Sequence, residues 1–302
     1  MLGGYYRRRF TKEGFEKAID YLEQAIKKDP NYAPAYAELG EVYRNLGWTL
    51  SLPPKEWRAK EELAAIKALQ IDDTLAEGHV LKAHLKEIDL DWPGAEQEYK
   101  RALDLDPNSV RAHETYAWYL TMMGRLDETM AHAKRALDLD PLSLNINWEM
   151  GVALDFSRHH DRAIEQFQKI IKMDPSWPPA HEGLLQAYQE KGMYDEAIEE
   201  VKKANALGRA GGEAGLAYAY ALAGKKDEAR KMLDELKEAA KQRYVSPFSF
   251  ALIYIGLGDK DQAFEWLNKT FEENPYRIAL LRLTRGSTVC AQTRASQSCC
   301  GA

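Results

Sequence analysis

The sequence predicts an all-α protein, a solenoid of about eight helix–turn–helix repeats, and three observations carry that prediction. Three segments run nearly in parallel: KRALDLDPNSVRAH at 100–113, KRALDLDPLSLNIN at 134–147 and QKIIKMDPSWPPAH at 168–181. Their prolines, Pro107, Pro141 and Pro175, stand 34 residues apart. A second column holds small residues: Ala95, Thr129, Ala163 and Ala197 at steps of 34, then Ala229 after 32 and Ala263 after 34 more. A third column, Gly124, Arg158, Gly192, Gly224 and Gly258, precedes the last five of these by five residues each. Three residue types in fixed phase are not an effect of composition.

Each column has a structural reason. The glycine permits the left-handed turn between two antiparallel helices. The small residue sits where the second helix crosses the first. The Asp-Pro pair ends the second helix, because proline disfavours helix in the residue before it and donates no N–H. Between these marks apolar residues recur at helical spacing, as in Ala197, Ile198, Val201 and Ala204.

In chain order, Ala18, Leu22, Ala25 and Pro30 mark the second helix of the first repeat. Its first helix would begin before Met1, so residues 1–32 are expected to form an incomplete repeat, with Met1 a start inside a longer gene. Residues 48–57 read as an insertion that lengthens one turn, the next helix starting near Arg58. Its Trp48 and Trp57 either fold back as a local apolar plug or form a partner-binding tip. NALGRAGGEAG, within 205–215, replaces the Asp-Pro connector, slips the phase by two and is expected to be the weak joint. The array is expected to span 1–275, with 276–302 a disordered tail.

The totals fit a soluble, cytoplasmic, mostly helical chain: 302 residues, 45% hydrophobic, 29% charged, net charge −6. No basic stripe marks a nucleic-acid footprint. MLGGYYRRRF has no apolar stretch behind it, so it is no secretory signal. GLAYAYALAG is far short of the ~20 apolar residues a membrane span needs. Cys290, Cys299 and Cys300 are the only cysteines, so the repeats owe nothing to disulfides.

These columns resemble the tetratricopeptide repeat family, whose unit is a helical pair of 34 residues. One unit matches it with His113, Tyr116, Ala117, Leu120, Gly124, Thr129, Ala136 and Pro141, and another with His181, Leu184, Leu185, Tyr188, Gly192, Ala197, Val201 and Ala204. The resemblance implies a right-handed superhelix and a non-catalytic scaffold for protein–protein interaction. The opening, LDWPGAEQEYKRALDLDPNSVRAH and the last repeat are similar to one bacterial group, in which such arrays follow a Ser/Thr kinase, winged-helix or nucleotide-cyclase domain. That likeness implies the sensing or docking region of a larger regulator; the alternative is a free-standing adaptor. Members of that group close with an acidic–basic helix. Codons allowed for 283–302 spell such a segment when read one nucleotide earlier, VDPRFDGLRSDPRFAELLRR, so the tail is read as frameshifted. As a metal site its cysteines lack a fourth ligand, and CCGA is a poor prenylation box.

No catalytic constellation stands out: there is no phosphate-cradling loop, no HExxH and no nucleophile elbow. No metal and no cofactor are expected, and the chain is read as no enzyme. His79, His113 and His181 share one position of their repeats, where packing is the plain reading. The run Arg158–Asp161 reads as a solvated corner.

By the family's geometry the first helix of each pair lines a concave groove. Its inward positions here include Arg111, Glu114, Trp118, Trp148, Asp155, Glu182, Gln186, Gln189, Tyr218 and Phe248. Aromatic anchors flanked by Glu, Gln and one Arg suit an extended peptide or helix of a protein partner, although neighbouring helices could instead cover them. The Lys and Asn pattern that clamps a chaperone's terminal carboxylate is missing, the matching positions being Ala37, Val80, Glu114, Trp148 and Glu182.

Overall fold

Where the second helices stop, one chemical device recurs. At Asp29, Asp72, Asp106 and Asp174 the backbone N–H donates to the carbonyl four residues back. The same carboxylate accepts from the N–H two residues ahead, at 2.9–3.0 Å. This Asx turn satisfies both ends of the break, and Pro30, Pro107 and Pro175 then bar further helix. Between the helices of a pair, Gly124, Gly192, Gly224 and Gly258 turn the chain at φ 72° to 79°. Leu90 and Arg158 occupy the same column at φ 60° and 64° without glycine's freedom.

The computed structural model describes residues 2–49, 53–207 and 212–280. Among them are seventeen helices and no strand. No helix among them is long and apolar enough to cross a membrane. The chain divides into two units, the first Met1–Met150 and the second beginning at Gly151. In unit 1, α1 (Leu2–Arg7) pairs with α2 (Lys12–Lys28), α3 (Ala33–Thr49) with α4 (Pro54–Ile71), α5 (Ala76–Ile88) with α6 (Trp92–Leu105), and α7 (Val110–Met122) with α8 (Leu126–Leu139). Helix α9 (Leu144–Phe156) begins in unit 1 and ends in unit 2. Unit 2 continues with α10 (His160–Met173), then the pairs α11 (Pro178–Lys191) with α12 (Tyr194–Ala206), α13 (Gly212–Leu222) with α14 (Lys226–Ala239), and α15 (Pro247–Leu257) with α16 (Lys260–Glu273), and last α17 (Pro275–Leu280).

The small-residue column is buried throughout: Ala95, Thr129, Ala163, Ala197, Ala229 and Ala263 are all within the core. Unit 1 packs in successive layers. Phe15, Ala18 and Leu22 meet Ala35 and Val42; Ala65 and Ala68 meet Ala37 and Leu81; Tyr99 meets Tyr116, Tyr119 and Leu120. In unit 2 the Phe167 ring fills the space left by two glycines, since a Cβ on Gly151 or Gly183 would lie 2.5 or 2.4 Å from it. Farther on, Leu233 and Leu236 meet Phe250 and Ile253.

A polar column ties first helix to second, always across 19 residues. His79 lies 2.8 Å from Glu98, His113 2.9 Å from His132, and His181 2.6 Å from Glu200. The far nitrogens of His79 and His113 donate to the carbonyls of Asp73 and Pro107, at 3.0 and 3.1 Å. These histidines therefore brace the repeat, as a packing reading expects.

Three expected boundaries shift. The stretch 48–57 is shared with its flanking helices: α3 runs to Thr49 and α4 starts at Pro54, because proline is well placed in a first helical turn, and 50–52 lie outside the described residues. Trp57 is buried against Gly47, where an added Cβ would meet its ring at 2.3 Å, and this fits the plug and not the tip. The side chain of Trp48 lies outside the described residues. The helices flanking the glycine-rich joint end at Ala206 and resume at Gly212, and 208–211 lie outside the described residues. Order continues past 275: α17 buries Tyr276 and Ile278, the latter against Ala251 and Leu267. Residues 281–302, with the three cysteines, lie outside the described residues.

Candidate partner-binding surface

The first helices of unit 1 carry a chain of buried ion pairs. Arg7 on α1 donates from Nε to Glu38 Oε1 on α3 at 2.6 Å. One turn along α3, Arg44 donates to Glu41 Oε2 at 2.7 Å. Arg111 on α7 stands 3.6 Å from that same Glu41 oxygen and donates to Glu114 at 3.1 Å. Asn145 on α9 also donates to Glu114. Arg7, Glu41 and Glu114 are 4%, 2% and 5% exposed, so water screens these pairs little. Burial pushes the Glu41 carboxyl up, but Arg44, Arg111 and Arg7 together bring it down to about 2.

Beside this cluster Trp118 on α7 and Trp148 on α9 stack, with ring centroids 6.1 Å apart and planes at 24°. Both are half-buried, and the Trp148 Nε1 is buried with no hydrogen-bond partner. On the next helical position Glu149 is 9% exposed, and its Oε2 is likewise buried and unpartnered. Burial, and then the Glu114 carboxylate, hold the Glu149 pKa well above the usual carboxylate range, against the pull of Arg111 and Arg44.

In unit 2 the expected positions are more scattered. Asp155 is buried and accepts from His160 Nδ1 at 2.7 Å, and burial raises its pKa. The run Arg158–Asp161 is therefore only partly a solvated corner, since His160 turns inward onto Asp155. Glu182, Gln186 and Gln189 are half-buried along α11, with Gln189 Nε2 buried and unpartnered. Tyr218 on α13 packs against Gly256 of α15, where a Cβ would sit 2.8 Å from its ring. Phe248 lies under the Arg277 guanidinium, 5.9 Å from its centroid.

The ten groove positions thus divide. Trp118 and Trp148 come together, and Arg111 and Glu114 join beneath them, but Glu114 and Asp155 are buried in internal pairs, not presented to a groove. Arg7, Glu38, Glu41, Arg44 and Glu149 escaped the sequence reading. Arg7 and Glu41 stand in the column of Trp118 and Arg44 in that of Asp155, so the same inward spacing, carried back to the first repeats, was the signal for these three. Among the described residues no three His, Cys, Asp or Glu side chains group as a metal site.

Helix pairs that recur at a step near 34 residues, each with the same buried small residue in its second helix, define a class: this is a helical-repeat protein. Tetratricopeptide repeat models match residues 21–50, 90–143, 149–211, 215–241 and 248–276, and the chain belongs to the tetratricopeptide repeat family. Superkiller protein 3 of Schizosaccharomyces pombe is 23% identical over 205 residues, covering 68% of this chain and 12% of its own length. Transcriptional regulator HilA of Salmonella typhimurium is 25% identical over 130 residues, covering 43% of this chain and 24% of its own. The chain spans less than a quarter of the length of either relative. Among solved structures, the human IFIT1 dimer with m7Gppp-AAAA aligns at TM-score 0.60 and 16% identity, over 86% of this chain and 68% of that one. The APC/C heterotetramer Cut9–Hcn1 aligns at 0.57 and 17%, over 78% and 45%. At such identity the likeness is one of fold.

Proposed function

We propose that the chain is the docking region of a larger bacterial regulatory protein, a non-catalytic cytoplasmic scaffold whose first-helix face binds a protein or peptide partner. The observation that carries this reading is the Trp118–Trp148 stack. Two half-buried indoles side by side, one with a buried N–H left without an acceptor, are the anchor type that partners use. The match to a transcriptional regulator over 43% of the chain supports the regulatory setting. The test replaces Trp148 by a photo-crosslinking phenylalanine in the producing cells, with the exposed turn residue Leu142 as a control position. A discrete adduct from position 148 that is absent from 142, and that Trp118→Ala abolishes, is the expected outcome. Equal labelling from both positions overturns the docking surface.

A further inference from the structure

We infer that the first-helix face of unit 1 seats a cationic side chain of the partner, a guanidinium or primary ammonium, with Glu149 as its counter-ion and the Trp118–Trp148 stack as its wall. The inference deepens the docking reading above and rests on it for the identity of the surface, but its own argument is one of charge.

Four carboxylates converge there, Glu38, Glu41, Glu114 and Glu149, against three guanidiniums, Arg7, Arg44 and Arg111. Every arginine is already engaged: Arg7 with Glu38, Arg44 with Glu41, and Arg111 with Glu41 and Glu114. Glu149 is the carboxylate left over. It is nine-tenths buried, one of its oxygens has no hydrogen-bond partner, and the charged groups facing it are Glu114 and Arg111 on α7 and Arg44 on α3. A buried carboxylate without its own cation is costly when ionised, so the free protein holds its proton more tightly than an exposed carboxylate would. A cation entering from the partner supplies the missing charge and takes the place of that proton.

The neighbouring surface suits such a guest. Indole faces attract a guanidinium or ammonium through the ring quadrupole. An acidic side chain would instead supply no counter-charge for Glu149 and would be repelled by the Glu114 carboxylate. Two signatures follow: preference for a cation over a neutral isostere, and release of a proton on binding, so that affinity rises with pH.

The experiment titrates the full 302-residue chain with the tripeptide Ac-Gly-Arg-Gly-NH2, and with its Gln and Glu counterparts, by calorimetry in two buffers of different ionisation enthalpy. The Arg peptide is expected to bind in the millimolar range or tighter, at least about tenfold better than the Gln peptide, and to release up to one proton near neutral pH. Glu149→Gln should keep the helical circular dichroism, because a neutral amide replaces a carboxyl that holds its proton tightly. It should weaken the Arg peptide about tenfold and abolish proton release. Equal affinity for the Arg and Gln peptides, undetectable Arg binding, or binding with no proton released overturns the inference, and these measurements use the unaltered protein should the variant fail to fold. A crosslink at Trp148 with no cation preference leaves the docking surface standing and removes only this inference. The reverse result removes only the docking reading.

Discussion

Arg158 holds a backbone conformation that its column assigns to glycine. Four of the other turns use glycine at φ 72° to 79°, whereas Arg158 reaches φ 64° with a Cβ in place. A left-handed residue that is not glycine costs roughly 1–2 kcal/mol, and glycine gives part of that back as unfolded-chain entropy. Arg158 is exposed and closes only a corner, so its replacement disturbs little packing. Arg158→Gly is therefore expected to stabilise the protein by up to about 1 kcal/mol, read as a rise in Tm. A lower Tm would mean that the arginine side chain holds the corner by contacts that outweigh its backbone strain.

At the scale of the helix pair, the His113–His132 contact is the acid-labile member of its column. His113 donates its Nε2–H to the Pro107 carbonyl, so its Nδ1 accepts from His132. Burial, and then His113, lower the His132 pKa. The folded state thus binds a proton more weakly than the unfolded chain does. Stability present above about pH 6.5 is accordingly lost as pH falls through and below that value. The equivalent positions opposite His79 and His181 carry Glu98 and Glu200, carboxylates in hydrogen-bond contact with the imidazole. His132→Glu should bring α7 and α8 into that pattern and flatten the loss between about pH 6.5 and 5, measured by urea denaturation across pH. An unchanged acid slope would assign it to other groups.

Across unit 1, Arg111 joins helices two repeats apart, since it reaches Glu41 of α3 as well as Glu114 of its own α7. Repeat proteins usually couple nearest neighbours alone, so this contact should extend cooperativity over a longer stretch. Removing it would leave buried carboxylates facing fewer cations. Arg111→Ala is expected to cost about 3–5 kcal/mol and to broaden the denaturation transition as the α1–α4 end melts separately. A cost below about 1 kcal/mol would show that the pair behaves as an exposed one.

Much of this architecture was legible in the chain. Gly124, Ala163 and Asp174 carry local instructions, namely a left-handed turn, a close crossing and an Asx stop, and each acts within a few residues of itself. A period of 34 then repeats those instructions, and the helix pairs follow in order. Placing Trp118 and Trp148 on one face was equally legible, because both fall at inward positions of consecutive first helices, Trp148 in the column of Glu114 and Trp118 one turn further along its own helix. The ion cluster was not. Arg7, Glu41 and Arg111 are separated by tens of residues, and their meeting depends on how closely first helices of successive repeats approach, a small rotation summed over several units. That summed rotation also buried Glu114, which repeat geometry alone would have left facing a partner. By itself the sequence determined the repeat, its turns and its stops, because these are short-range backbone chemistry. Only the tertiary structure decided which charges are paired inside and which one, Glu149, is left without a counter-ion, because burial and pairing are set by the winding of the stack.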